Sequence, residues 1–314
     1  RRGTVVLLPG LTSSSKDVYV RNAAATLAAG GWRVVVMNNR GLGDSPLTTP
    51  WTYNGATTAD LRHLLRRQRR EVGEGEPLAL LGFSLGANVA AKYLGEEGAR
   101  TPVDFACVVG NPWDLPHINR KLPYIVTNTL ATNLQEFQHS KAAKFVEGSD
   151  KISNKDVLAA KTIKQYDEAF LRRHFGYASV GDYYRDGSSI AYIKAVRVPM
   201  LAVNALDDPV VHWTGLPFDE LASNPYTAFI TTRTGGHLGW FQTSDRRNRE
   251  KGASSVDQRW ICNLILGFFD LAVGMEGEQG GERDVDTPRE TLPRHQKTQQ
   301  HVGGGGGGGG DADG

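Results

Sequence analysis

The sequence predicts an α/β fold: a mainly parallel, doubly wound sheet with a helical lid insertion. Three observations predict it. Short apolar runs alternate with helical patterns along the first part of the chain. Those runs are continuously apolar rather than alternating, as strands buried on both faces must be. The rhythm then breaks once, from Asn111 to Val196, where helical periodicity continues without a buried strand.

Taken in order, Thr4–Leu8 reads as the first strand and Lys16–Ala29 as a helix ended by Gly30-Gly31. Arg33–Met37 is the second strand. Thr57–Glu71 follows as a helix whose apolar stripe is Leu61, Leu64 and Leu65. Leu78–Leu81 is a strand, Leu85–Leu94 a helix and Asp104–Val109 a strand. The insertion, about 111–196, has helical patterns at Ala142–Phe145 and Val157–Phe170, and carries 11 of the chain's 27 aromatic residues. That enrichment predicts a lid with an apolar underside. The sheet resumes at Met200–Asn204 and Tyr226–Thr232, and Val256–Leu271 closes the domain as an amphipathic helix. The expected boundaries are a domain over 1–272 and a disordered Gly-rich tail over 273–314, whose composition cannot bury enough surface to offset its ordering entropy.

Composition narrows the function. The 314 residues are 39% hydrophobic and 22% charged, which is globular. The formal charge of +2 divides into about +6 before residue 273 and −4 after it. Because the bases are spread along the chain, no nucleic-acid partner is expected. Cys107 and Cys262 stand in apolar surroundings and read as buried thiols, too few for a disulfide framework or a zinc site. No apolar run reaches the length of a membrane span. The chain starts without Met and enters a strand almost at once, so it is expected to be a fragment or processed form.

The chemistry gathers around Gly82-Phe-Ser-Leu-Gly86, a G-x-S-x-G pattern lying between a strand and a helix. That context makes Ser84 the candidate nucleophile, lifted out of a tight turn. Side chains at positions 82 and 86 would strike the neighbouring strand and helix. A serine hydroxyl needs a base to take its proton, and the base needs an acid to orient it. Of eight histidines, His237 follows the last strand within Thr234-Gly-Gly-His-Leu-Gly239; His212 is the nearest rival. The acid comes from the Asn204–Val211 loop. Asp208 is favoured because it stands three positions after the small residue Ala205 and before Pro209, with adjacent Asp207 as the alternative. The oxyanion donors are expected to be the backbone N–H groups of Leu85 and of Leu11, in the loop after the first strand. Arg62, Arg66, Arg67, Arg69 and Arg70 make a basic run, read as a solvated helix face rather than a phosphate site. Gly41 and Gly43 lack the spacing of a dinucleotide fingerprint, and no metal constellation is present.

These residues resemble the fourth AB hydrolase family of esterases and lipases, within the α/β-hydrolase superfamily. The shared stretches are Leu8–Thr12, Asn38–Gly41, Gly82–Asn88, Gly110–Leu115, Asn204–Pro209 and Gly235–His237, with Asp182–Tyr184 and Ser188-Ser189 similar to the family's junction between lid and core. The resemblance implies an α/β-hydrolase fold, a Ser84–Asp208–His237 triad and no cofactor. It implies a serine carboxylesterase or lipase acting on short- to medium-chain esters, or on monoacylglycerol-like or phospholipid-like substrates. A lipid-like ester is thus the expected partner, reached by contact with a membrane surface. The alternatives are an alcohol O-acyltransferase using the same triad, or a non-catalytic binding protein of the same fold. The family usually has glycine where this chain has Ser13, and an N-terminal segment with two further strands that is expected to be missing here.

Overall fold

The computed structural model describes residues 2–73, 75–146, 150–241 and 260–279. Six strands, β1 (Gly3–Leu8), β2 (Trp32–Val36), β3 (Leu78–Phe83), β4 (Phe105–Val109), β5 (Met200–Ala205) and β6 (Thr227–Thr232), form one sheet in the order β2-β1-β3-β4-β5-β6. Every pairing is parallel. The four inner strands are buried at every position, which is why they read as unbroken apolar runs. The edge strands β2 and β6 are partly exposed.

Alternate strand residues feed two cores. On one face Val5, Leu7, Ala79, Leu81 and Phe105 meet α1 (Val18–Ala29) through Val20, Ala23 and Leu27. The C-terminal helix packs on the same face through Ile261, Ile265 and Phe269. On the other face Val6, Leu8, Leu78, Leu80 and Val108 meet α2 (Ala59–Glu71) and α3 (Leu85–Glu97). Leu61 and Leu65 of the expected stripe are buried, and Leu64 packs partly buried beside them. Cys107 and Cys262 are both buried.

The stretch between β4 and β5 is helical. It contains α4 (Leu115–Lys121), α5 (Tyr124–Phe137), α6 (Ala143–Val146), α7 (Asn154–Ala159), α8 (Ile163–Tyr166), α9 (Arg172–Phe175) and α10 (Val180–Gly187). Two single wide turns with i→i+5 bonding, Gln138–Ala142 and Asp167–Leu171, continue α5 into α6 and α8 into α9. Buried polar side chains on α3 fasten this insertion to the body. Asn88 donates to the carbonyls of Gly55 and Gly187 and accepts the Ser189 N–H. Lys92, 2% exposed, reaches the Asp186 carboxylate and carbonyl and the Tyr192 hydroxyl.

Some boundaries differ from those expected. The first helix begins at Val18, because Asp17 instead accepts the Ser14 N–H in the preceding turn. After α11 (Phe218–Ala222) and β6, the last helix, α12 (Trp260–Gln279), runs past Ala272, where the tail was expected to start. The rest of the expected tail, and the expected helix start at Val256, lie outside the described residues. The basic run is not simply solvated either. Arg62 bonds Glu96 and Glu97, Arg67 bonds Glu71, and Arg69 holds Asp104 and the Pro102 carbonyl.

Candidate active site

The chain steps from β1 out to β2 and returns to β3 on the other side of β1. Loops leaving the carboxyl ends of β1 and β3 therefore diverge, and a crevice opens between them. Ser84 sits at this point, the single residue between β3 and α3. Its backbone is left-handed, with φ 51° and ψ −120°, a conformation that costs a non-glycine residue about 1–3 kcal/mol. The surrounding bonds impose it: Ser84 N–H donates to Val109 O at 2.9 Å and Ser84 O accepts Asn88 N–H at 3.0 Å. A Cβ at Gly82 would come within 2.6 Å of Ala87 Cα, and one at Gly86 would meet the carbonyl oxygens of Leu8 and Pro9.

The loops after β5 and β6 bring an acid and a base to this serine. His237 Nε2 is 2.7 Å from Ser84 Oγ, and His237 Nδ1 is 2.8 Å from Asp208 Oδ2. The Asp208 side chain is fully buried, and its other oxygen accepts the N–H groups of Val210 and Val211. An ionised carboxylate only accepts hydrogen bonds, so Nδ1 carries the proton and Nε2 is left to accept from the serine hydroxyl. The adjacent Asp207 does a different job: its Oδ1 accepts the Gly236 N–H at 2.9 Å. His212, the rival base, is bonded to Thr214 instead.

The loop after β1 approaches from the other side. Gly10 N–H donates to Tyr19 Oη at 2.8 Å, and Thr12 N–H to Tyr53 Oη at 3.1 Å. Ser13 N–H closes a turn onto the Gly10 carbonyl. Between these anchors Leu11 N–H has no acceptor among the described residues, and Leu85 N–H opens the first turn of α3 beside Ser84. Both are donors of the kind that stabilise an oxyanion. The roles of Tyr19 and Tyr53 were not read from the sequence, since neither lies in the Leu8–Thr12 stretch that they shape.

Two cavities meet at Ser84 and His237. The first is largely apolar, lined by residues that include Leu115, Ile118, Leu134, Ile163, Phe170 and Val210. Tyr166, Tyr183 and Tyr184 from the insertion also line it. The second is more open and more polar, with Thr12, Ser13, Asp17, Asn133, Glu136 and Lys141 on its wall. Aromatics of the insertion divide between tasks. Tyr166, Phe170, Tyr183 and Tyr184 face the first cavity, whereas Trp113 is fully buried and bonds Asn204 through Nε1. Asp167, which sequence reasoning passed over, also lines the first cavity; the signal available was an acid four residues after Ile163 and three before Phe170, on the stripe those two define.

The family model for the alpha/beta hydrolase fold matches residues 3–242, and the chain belongs to that family. A monoacylglycerol lipase of Saccharomyces cerevisiae is 34% identical over 280 residues, covering 85% of this chain and 59% of its own length. The phospholipase ABHD3 of Mus musculus is 34% identical, covering 77% of this chain and 59% of its own. The medium-chain fatty acid ethyl ester synthase/esterase 2 of Saccharomyces cerevisiae is 30% identical, covering 84% of this chain and 61% of its own. The chain thus spans about six-tenths of the length of these curated relatives.

Proposed function

We propose that the protein is a serine carboxylic ester hydrolase for lipid-like acyl esters, working through a Ser84–His237–Asp208 triad and an acyl-enzyme. The observation that carries this reading is the unbroken hydrogen-bond chain from Asp208 through His237 to Ser84, at the mouth of a largely apolar cavity. In the proposed mechanism His237 Nε2 takes the Ser84 proton as Oγ attacks the ester carbonyl. The buried Asp208 carboxylate stabilises the imidazolium that forms. Leu11 and Leu85 N–H groups hold the tetrahedral oxyanion; in serine hydrolases one such donor is worth about 3–4 kcal/mol of barrier. His237 then protonates the departing alcohol, and a water molecule activated by the same nitrogen releases the acid. None of these steps calls for a cofactor.

We assign one half of the substrate to each cavity. The apolar one suits the acyl chain, and the open polar one suits the alcohol or head group. The insertion supplies much of the first lining and acts as the lid, and access to the substrate is by contact with a membrane surface. The names of the relatives, a monoacylglycerol lipase and a phospholipase, favour glycerolipid esters, and the medium-chain fatty acid named for a third favours a medium acyl length. A second reading, acyl transfer to an alcohol, is favoured by the relative named both ester synthase and esterase. The test is hydrolysis of p-nitrophenyl esters of graded acyl length by the wild type and Ser84→Ala, with fluorophosphonate labelling of both. Turnover and labelling that vanish together in Ser84→Ala support the reading. Folded wild-type protein that neither turns over nor labels overturns it. Ester synthesis outrunning hydrolysis when alcohol is added selects the second reading.

A further inference from the structure

The apolar cavity beside Ser84 contains a carboxyl group for which the triad chemistry has no use. Asp167 lies in the wide turn between α8 and α9, is 3% exposed, and lines the same cavity as Ser84 and His237. Its neighbours at helical spacing, Ile163, Phe170 and Leu171, line it too, so an acid occupies a position where the pattern calls for an apolar residue. Its Oδ2 accepts the Tyr184 hydroxyl at 2.8 Å. Among the described residues Oδ1 has no hydrogen-bond partner, and neither Lys nor Arg lines the cavity to pair with the charge. Tyr183 Oη, another phenol on the cavity wall, accepts the Gly55 N–H.

Burying a carboxyl without full pairing carries a free-energy cost even when it is neutral. A cavity meant only for hydrocarbon has nothing to offset that cost. Burial also pushes the Asp167 carboxyl up to about 7, so near neutral pH it offers both an O–H donor and an acceptor. A hydroxyl group, itself donor and acceptor, matches either form. Polar groups of the alcohol half have their own surroundings in the second cavity, among Thr12, Ser13, Asn133 and Glu136.

We infer that Asp167 is a specificity-determining residue that hydrogen-bonds a hydroxyl group carried on the acyl chain in this cavity, so that esters of hydroxylated acyl chains are preferred substrates. This rests on the proposed ester hydrolase function and deepens it. A site built to bond a substrate hydroxyl disfavours the analogue that lacks it, because the site's own polar group is then left unmatched.

The test uses the full chain and three kinds of ester: methyl octanoate, a set of methyl hydroxyoctanoates with the hydroxyl moved stepwise along the chain, and 2-hydroxyethyl octanoate. Rates are measured for the wild type, Asp167→Leu and Asp167→Asn, with thermal melts to establish folding. At one hydroxyl position the wild type should exceed its kcat/KM for methyl octanoate by about ten- to a hundredfold, the worth of one charge-assisted hydrogen bond. Asp167→Leu should erase that advantage, bringing the ratio of the hydroxyoctanoate kcat/KM to the methyl octanoate kcat/KM down to about one. Asp167→Asn, which can still donate and accept, should keep part of it. A flat wild-type profile overturns the inference whether or not the variants fold. So does an advantage confined to 2-hydroxyethyl octanoate, or an equal loss on all esters in Asp167→Leu. If Ser84 still takes a fluorophosphonate label, such a result removes only the role of Asp167. Failure of labelling and of all turnover in folded protein removes the hydrolase reading and this inference together.

Discussion

Asp207 and Gly236 are joined by a hydrogen bond of 2.9 Å, from the Gly236 N–H to Asp207 Oδ1, one residue before His237. Adjacent carboxylates thus hold the same loop at two points: Asp208 orients the imidazole ring and Asp207 the backbone that carries it. The two can be separated kinetically. Asp208→Ala should lower kcat by about 10⁴-fold, as loss of the orienting acid does in other triads. Asp207→Ala should lower kcat by about tenfold with KM little changed, since the loop loses one neutral-to-charged bond. Asp207→Asn keeps an accepting oxygen and should stay near wild type. Steady-state kinetics on a p-nitrophenyl ester checks all three, and a KM effect larger than the kcat effect would refute the positioning role.

The strained backbone of Ser84 gives a prediction in stability rather than rate. At φ 51° a serine costs about 1–3 kcal/mol that glycine does not, against about 0.5–1 kcal/mol of extra chain entropy that glycine loses on folding. Ser84→Gly should therefore be inactive yet more stable by about 1 kcal/mol, a rise of about 1–2 °C in Tm for a chain of this size. Ser84→Ala, which keeps the Cβ, should be equally inactive without the gain. Calorimetry of the two variants decides it.

Tyr53 is half-buried, and its phenol, removed from solvent, is held well above the usual range by desolvation. Its oxygen accepts the Thr12 N–H next to Leu11. Tyr53→Phe removes that acceptor and frees the loop that presents the Leu11 donor. The expected result is a fall in kcat of about tenfold, within the 10²–10³ that a whole oxyanion donor is worth. Fluorophosphonate labelling should slow with it, because phosphonylation uses the same donors. Unchanged labelling and turnover would mean that the loop is held by Tyr19 alone.

Much of this molecule can be read from local sequence because its determinants are local. The strands β1, β3, β4 and β5 are apolar but for the buried Thr4 and Asn204, since both sheet faces are covered. The Gly82–Gly86 turn declares itself because only glycine fits against Leu8, Pro9 and Ala87. Asp208 and His237 were nameable from chain order, as each follows a strand end. What stayed hidden depends on contacts distant in sequence. Asn88 and Lys92 look like ordinary helix residues until the insertion folds back onto α3 and their polar atoms meet Gly187, Ser189 and Asp186. The end of α12 was missed for a different reason. The Gly- and Glu-rich composition after Ala272 argues against a packed core, but a helix already nucleated upstream extends at little cost into Val273–Gln279.

The buried carboxyl of Asp167 makes stability depend on pH in a direction opposite to that of a salt-bridged acid. Burial raises it from 3.8 to about 7, while the Tyr184 hydroxyl bond works against the rise. Of the other ionisable groups lining its cavity, Tyr53, Tyr166, Tyr183 and Tyr184 are phenols that stay neutral across this range, and His237 is common to the two proteins compared below. Between these two values the folded protein keeps a proton that the unfolded chain has released. Stability from this group is therefore greatest at the acid end of the window and is lost as pH rises toward about 7, by at most about 1.4 kcal/mol for each pH unit. Above that the loss is complete and levels off. Asp167→Asn has no proton to lose at this position. It should thus gain stability relative to the wild type as the pH is raised from 5 to 8, which urea unfolding of the two proteins at both pH values measures directly. The reverse trend would mean that the carboxyl is ionised and favourably bonded in the folded state, with its value lowered rather than raised.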